Sequence, residues 1–538
     1  MGLCAEDDPL EAREEDLFSC RSGVYGFAMS TTIEKAVRAE AEKLIRRHEM
    51  YATNLAREAQ RHESRSGLAQ TTVVMTPEYW SLASGFNPYY VRRHAKAITR
   101  ALEHRLVTET YAPYPSFKYS VPRGDGTYRI VSVFQVADSA LSSLTFRRLM
   151  AKNARHFSAN SYAYRTDLSL QDAVLHIASD FKLRNRLYLA EFDFAKYFDS
   201  VSHEHILRML DDRRFFVTRR ERLILEAFLR SSSRAAQEFI GPSLPRTEGF
   251  PQGTSVSLFL ANLAAYPLDH RLERLGVGFA RYADDTLIWS DSYAEIARAA
   301  NSLEEAAAEM GVKLNLLKSK GITLFAPIDM KAELASQSFV EFLGYSISQD
   351  HLSIRKSSVR RIKEHISFLI YKNLLQEPAR GNFPSERMLG RIDEDYPVLI
   401  YQLRRYLYGD LSEAMVRKYL SRQAPLLRFR GLMSFYPVVD DEKLLRELDG
   451  WMLSTTLRAI KRRGQLWQAY FPGALPSPHG SSRAQILQLR ANPQPGHLVD
   501  LRFPSFLRIS KLLRRASSTY GASAVANPRS HTYYSPAP

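Results

Sequence analysis

Between Gly278 and Asp291 the chain reads GFARYADDTLIWSD, two apolar runs separated by adjacent aspartates. Phe279 and Tyr282 precede the pair, and Leu287, Ile288 and Trp289 follow it. All are residue types favoured in half-buried sheet, so the pattern predicts two strands with Asp284 and Asp285 at the bend of a hairpin. Upstream, LYLAEFDF predicts a strand that ends in Asp193 and feeds a helix-like segment. FKYSVPRGDGTYRIVSVF predicts two strands joined by a turn at Gly124, Asp125 and Gly126. Helical spacing runs from Thr31 to about Arg65, through SYAEIARAANSLEEAAAEMG, and from about Ser357 through LDGWMLSTTLRAIKRRG. Strands alternating with helices predict an α+β core. Residues 1–30 read as poorly ordered, and the last 20, GASAVANPRSHTYYSPAP included, as a flexible tail.

Composition narrows the class. The 538 residues are 45% hydrophobic, enough for several domains. Lys and Arg number 74 against 58 Asp and Glu, a net charge of +16 that suits a polyanionic partner. Two cysteines, Cys4 and Cys20, exclude a disulfide scaffold or a cysteine-rich zinc site and suit a reducing compartment. No run approaches the roughly 20 apolar residues of a membrane helix, and the acidic start MGLCAEDDPLEAREED is unlike a signal peptide. The expectation is a cytoplasmic protein without membrane attachment.

Taken alone, an Asp-Asp pair is an ordinary polar turn. A charged residue ending an apolar strand is unfavourable unless paired or metal-bound, and Asp193 meets that description as Asp284 does. Carboxylate oxygens are the ligands hard cations prefer. Three such aspartates converging would hold two cations about 3.5–4 Å apart, the arrangement of phosphoryl or nucleotidyl transfer. Between the strands lies TEGFPQGTSVSLFLANLAAYPLDHRL, a Gly/Pro loop feeding a helix, where Gln252 and Gly253 could approach a nucleotide. His203-Glu204-His205 lacks zinc-site spacing and reads as the start of a surface helix.

The order of these pieces resembles a reverse transcriptase, particularly the bacterial lineages that include retron, group II intron and abortive-infection (phage-defence) enzymes. The resemblance runs from about Lys118 to Tyr345 and more weakly to about Arg463. VPRGDGTYRIVSV looks like the fingers hairpin, SANSYAYRTDLSLQDAV the next fingers motif, and EFDFAKYFDSV motif A. GFPQGTSVSLFLAN looks like motif B, RYADD motif C, MGVKLNLLKSK motif D and FLGY the primer grip. The implied fold is the right-hand polymerase: an N-terminal helical extension (1–70, helical from about 31), fingers (71–180), a palm with an antiparallel sheet (181–350), a basic helical thumb (351–470), and a C-terminal extension and flexible tail (471–538).

The resemblance assigns roles by position. Asp193, Asp284 and Asp285 would be catalytic and bind two Mg²⁺ ions, with Mn²⁺ as a substitute and Phe194 beside metal and nucleotide. Lys318 would be general acid to the leaving pyrophosphate. Arg123 and Arg129 would contact the triphosphate, Gln252 and Gly253 would line the nucleotide, and Phe198 would exclude a ribose 2′-OH and so favour dNTPs. Arg165, Tyr282 and Gly344 would meet nucleic acid, and Arg458, Lys461, Arg462 and Arg463 would track a phosphate backbone. Two departures, Ser257-Leu258 in place of Ser-Pro and Ala195 in place of Lys, point to a specialised site.

The resemblance implies an RNA-directed DNA polymerase with an RNA template, dNTPs and a DNA product, with homo-oligomerisation left open. An antiphage role on a dedicated noncoding RNA is the expectation, because no mobility domain is evident. A variant is DNA synthesis primed by a tail tyrosine, Tyr520, Tyr533 or Tyr534, or made without a template. A different class is a non-polymerising, maturase-like RNA-binding cofactor.

Overall fold

The computed structural model describes residues 22–122, 127–182, 184–235, 245–315, 321–327, 334–409, 411, 413–423, 429–494 and 497–525. The long helix α1 (Ser22–Ser66) and α2 (Pro88–Val107) lead into strands β1 (Ser116–Pro122) and β2 (Tyr128–Val133). Then come α3 (Val136–Asn153), α4 (Leu170–Lys182), β3 (Leu187–Phe192), β4 (Phe194–Ala195), the single turn α5 (Tyr197–Ser200), α6 (His203–Leu210), α7 (Arg219–Leu229) and β5 (Ser233–Arg234). Helix α8 (Ser255–Leu275) precedes β6 (Gly278–Tyr282), β7 (Asp285–Ser290), α9 (Tyr293–Met310), β8 (Lys313–Leu314), β9 (Gly321–Phe325) and β10 (Ser336–Gln337). A meander follows, of β11 (Phe339–Phe342), β12 (Tyr345–Ser348) and β13 (Leu352–Ile354). The C-terminal part holds α10 (Lys356–Ile370), a π-helical segment (Tyr371–Leu375), α11 (Gln376–Ala379), α12 (Asp395–Tyr408), α13 (Glu413–Leu420), α14 (Leu432–Phe435), α15 (Glu442–Tyr470), α16 (Arg483–Gln488), β14 (Arg490–Gln494), β15 (His497–Asp500) and α17 (Phe506–Tyr520).

The central sheet has the order β10-β9-β3-β7-β6, and β3 runs antiparallel to both β7 and β9. Its central strands are apolar on both faces because both faces are covered. Alternation along the strands sorts the residues. Leu187, Leu189, Leu287 and Trp289 join one core with residues of α10, α12, α15 and α17, whereas Ala190, Phe279 and Ile288 join a second core with α8 and α9. Helix α9 starts where the Ser292 side chain accepts from the Glu295 N–H and stops at Gly311, whose φ of 75° suits glycine.

Helix α1 buries Ile33, Val37, Ala41 and Ile45, four residues apart on one face, against α2 and α3. Its last turn reaches the C-terminal helices, where Arg65 Nε donates to Asp395 at 3.2 Å and Nη2 to Asn373 at 2.5 Å. The helix begins at Ser22, not near residue 31, so part of the stretch read as poorly ordered is helical. A larger correction concerns the C-terminal extension. Phe506, Ile509, Leu513 and Ala516 of α17 are buried in the first core, and α17 packs on α15 and α13. Only residues beyond 525 of the stretch read as a tail lie outside the described residues. Among the described residues no helix is long and apolar enough to cross a membrane.

Candidate active site

Strand pairing brings the predicted aspartates to one end of the central sheet. The last registered pair of β3 and β7 is Phe192 with Thr286, so Asp193 lies one step beyond the ladder, where the same register continued would set it opposite Asp285. Residues opposite each other in an antiparallel pair share a face. By alternation that face is the one carrying Leu189, Leu287 and Trp289, and Tyr282, paired with Asp285, shares it. The Tyr282–Asp285 pair leaves Ala283 and Asp284 as a two-residue turn, with Ala283 at φ 61° in the left-handed region uncommon for any residue but glycine.

The carboxylates are less buried than the apolar runs imply. Asp193 and Asp284 are half-buried and Asp285 is exposed, which corrects the picture of like charges carried into a core. Asn315, just after β8, braces Asp193: its N–H donates to the Asp193 carbonyl at 2.8 Å and its Nδ2 to the carboxylate at 3.3 Å. Among the described residues no three His, Cys, Asp or Glu side chains are already gathered to hold a metal ion. The donors are oxygen-only and accessible, which fits a hard cation drawing them together on binding. Phe194 can contribute only backbone, since its side chain is buried and stacked on Tyr197 with centroids 5.5 Å apart.

The glycine loop ties the site to the β1–β2 hairpin. Arg129 Nε donates to Gln252 Oε1 at 2.7 Å, Gln252 Nε2 donates to Asp199 at 3.3 Å, and the Ser132 N–H donates to the Gln252 carbonyl at 2.7 Å. Gly253, at φ 112°, leaves no room for a side chain: a Cβ would lie 2.7 Å from the Ser132 carbonyl oxygen. Phe198 sits beside this loop with its ring edge-on to Phe250 at 4.9 Å and to Tyr164 at 6.3 Å. Burial first, and then the Asp284 charge, push the Tyr164 hydroxyl up to about 12, so it stays a neutral donor beside the carboxylates. The sequence pattern does not single out Tyr164, Asp199 or Asn315. Asn315 was within reach, as a polar residue directly after a strand in the motif D stretch.

Other predicted contacts divide. Gly344 forms a two-residue turn with Leu343 between β11 and β12, at φ 85°, against the Phe435 ring. Arg458, Lys461 and Arg462 lie exposed along α15. Arg463 does not join them. It is buried, with Nε 2.6 Å and Nη2 3.0 Å from the Asp393 carboxylate, Nη2 2.7 Å from Asp395, and Nη1 donating to the Leu374 carbonyl at 3.0 Å. Arg165 is likewise committed internally, to both oxygens of Asp167 and to the Phe157 and Ser158 carbonyls, so neither arginine is available to a phosphate. Tyr520 is no tail residue: it ends α17, and its hydroxyl donates to the Tyr419 carbonyl at 3.2 Å. The predicted helix start is real and lies at the surface, with Glu204 exposed, while His205 on its inner face is buried with Nε2 2.9 Å from the Ala264 carbonyl. Arg123, Lys318, Tyr533 and Tyr534 lie outside the described residues.

Aspartates at the ends of adjacent antiparallel strands, beside a glycine loop and an arginine-bearing hairpin, match the palm of a right-hand polymerase. Residues 121–347, less than half of the chain, match the family described as Reverse transcriptase (RNA-dependent DNA polymerase). No curated protein matches the chain. Among solved structures it is similar to apo telomerase from Candida tropicalis truncated from the C-terminal domain (TM-score 0.34, 12% identity, 48% of this chain and 60% of that one). It is also similar to Candida albicans telomerase with a fragment of telomeric RNA (TM-score 0.35, 10% identity, 71% of this chain and 67% of that one). For the Candida tropicalis telomerase with the same kind of fragment the figures are TM-score 0.37, 12% identity, 70% of this chain and 59% of that one. Superpositions this loose carry no functional weight.

Proposed function

We propose that the protein is an RNA-directed DNA polymerase that adds deoxynucleotides at the end of the central sheet, using two divalent ions, Mg²⁺ by preference and Mn²⁺ as a substitute. The observation that carries this is the strand register, whose last β3–β7 pair, Phe192 with Thr286, puts Asp193 and Asp285 each one step beyond it at the same end of the sheet, on the hairpin that also bears Asp284. Asp193, Asp284 and Asp285 would hold the ions, which when bound activate an attacking hydroxyl and neutralise charge on the leaving oxygen. Asn315 keeps Asp193 in place. Arg129, held within reach by Gln252, offers a planar donor fork to a triphosphate. Phe198, fixed by Phe250, fills the space a 2′-OH would need. Residues 71–180, 181–350 and 351–470 would then act as fingers, palm and thumb, with 1–70 and 471–538 as extensions.

The test is incorporation of labelled dNTPs on an RNA template with a DNA primer. Asp284→Ala combined with Asp285→Ala should abolish it while shifting the melting temperature little, because neither side chain is in the core; activity surviving that change overturns the reading. A dedicated noncoding RNA template, a cytoplasmic location and an antiphage role are finer parts of the proposal and rest on the family resemblance. One RNA species dominating the copurified nucleic acid supports the first, and cells expressing the wild-type protein that are no better protected against phage than cells without it sink the last. A second reading, from a different class, is a non-polymerising RNA-binding cofactor. Full biological function in the double variant would select it.

A further inference from the structure

Arg281 is a buried charged residue two positions before the catalytic turn for which the proposed chemistry has no use. It lies in β6, the edge strand of the central sheet, with side-chain exposure of 0%, as has its partner Asp269 from α8. Its fork closes on that carboxylate, Nε to one oxygen and Nη2 to the other, both at 2.6 Å. Burial opposes the Arg281 charge, but the Asp269 carboxylate outweighs it and holds the guanidinium above its ordinary value. A fork that served only the ion pair would have no further role. Here Nη2 also donates to Ser161 Oγ at 2.7 Å, and Nη1 donates to the carbonyl of Ala283 at 3.0 Å.

That last bond bears on the site. The Ala283 carbonyl belongs to the peptide linking Ala283 to Asp284, and a peptide unit is planar, so fixing its oxygen fixes the plane from which the Asp284 side chain departs. Ala283 is in the left-handed region, where a non-glycine residue is strained and persists only if its surroundings impose it. The main chain of Arg281 is held as well: its N–H donates to the Asn160 carbonyl and its carbonyl accepts from the Tyr162 N–H, each at 2.9 Å. The edge of β6 and the turn beyond it are thus tied from one residue to the 160–162 segment and to α8.

We infer that Arg281 is a positioning residue that presets the Ala283–Asp284 turn for metal binding, with Asp269 as its anchor and Ser161 as its second stay. The inference deepens the polymerase reading and rests on it. Lysine in its place keeps a positive charge beside Asp269 but has no planar fork, so it cannot grip the carboxylate and the Ala283 carbonyl together. Groups that orient metal ligands from behind typically alter metal affinity 10–100-fold when changed.

The experiment is direct binding of Mn²⁺ to the full chain, followed by loss of the free-ion electron paramagnetic resonance signal, for wild type, Arg281→Lys and the Asp284→Ala/Asp285→Ala variant. Arg281→Lys should bind Mn²⁺ roughly tenfold or more weakly than wild type while remaining folded by circular dichroism. Equal affinity in folded Arg281→Lys and wild type overturns the inference and leaves the polymerase reading standing. Wild type binding no better than the double aspartate variant removes the metal site itself, and the polymerase reading with it. Should Arg281→Lys not fold, Asp269→Asn, which keeps the shape and loosens the anchor, must show weaker Mn²⁺ binding; unchanged binding there also overturns it.

Discussion

Two arginines, Arg281 in β6 and Arg463 in α15, share the same local chemistry and serve opposite ends. Both are fully buried, and both grip an aspartate through Nε and Nη2. They differ in what the remaining donors hold. Arg281 spends one on the carbonyl beside Asp284, so its order is passed to a side chain facing the cleft. Arg463 spends its remaining donors on Asp395 and on the Leu374 carbonyl of the π-helical segment. Arg65, arriving from α1, donates to the same Asp395 and to the Lys372 carbonyl of that segment, so this second network joins the N-terminal helix to the C-terminal helices. A buried ion pair is weak grounds for either stability or function; the role is set by the last atoms it reaches.

The comparison breaks most sharply at Arg463. Arg463→Met should remove about 3–5 kcal/mol of stability, because Asp393 and Asp395 would be left buried with their charges partly uncompensated. Thermal or urea unfolding measures this, and the polymerase activity of the remaining folded molecules should stay within about twofold of wild type. A stable Arg463→Met protein with weakened nucleic-acid binding would return Arg463 to the phosphate-tracking role that the sequence suggested for it.

Phe198→Ala acts on the other side of the comparison, where side chains face substrate. Opening the space between Phe250 and Tyr164 should raise incorporation of ribonucleotides relative to deoxynucleotides by about tenfold or more. Single-nucleotide extension with paired rNTP and dNTP substrates gives the ratio directly. An unchanged ratio would make Phe198 a packing residue and leave discrimination to another group.

Much of this was legible in the sequence where pattern and chemistry coincide. Strands β1, β2 and β3, the β6–β7 turn and α9 are where alternation, turn residues and helical spacing predict them, the predicted turn at Gly124, Asp125 and Gly126 lies outside the described residues, and Asp193 and Asp285 come to the same end of the sheet because strand ends are set by the same alternation. What was not legible depends on partners distant in the chain. Nothing near Arg281 announces Asp269 or Ser161, and the half-exposed state of the aspartates follows from where neighbouring layers stop. Arg463 is the instructive miss. Met452, Thr456, Ile460, Arg463 and Trp467 step by three and four residues along the buried face of α15, so helical spacing alone could have separated it from its neighbours. In α17 the buried residues Phe506, Ile509, Leu513 and Ala516 are interleaved with Arg and Ser, and that polarity beside a Pro/Gly-rich stretch hid a packed helix within the C-terminal extension.

The smallest expected effect tests the face of α15 opposite Arg463. Arg458, Lys461 and Arg462 are exposed, none is needed to balance a buried carboxylate, and their replacement together by Gln should change the melting temperature little. If they track a phosphate backbone, each neutralised phosphate releases counterions, so the slope of log affinity against log salt should fall by about 0.7–0.9 for every phosphate that is no longer neutralised. For three phosphates that is a drop of roughly 2 to 3 in slope, alike for template–primers of unrelated sequence because phosphates carry no base identity. Fluorescence anisotropy with a labelled duplex at a series of KCl concentrations reads it. A slope equal to that of wild type would make this an ordinary solvated helix face, and the difference between the two sides of α15 would then be one of burial alone.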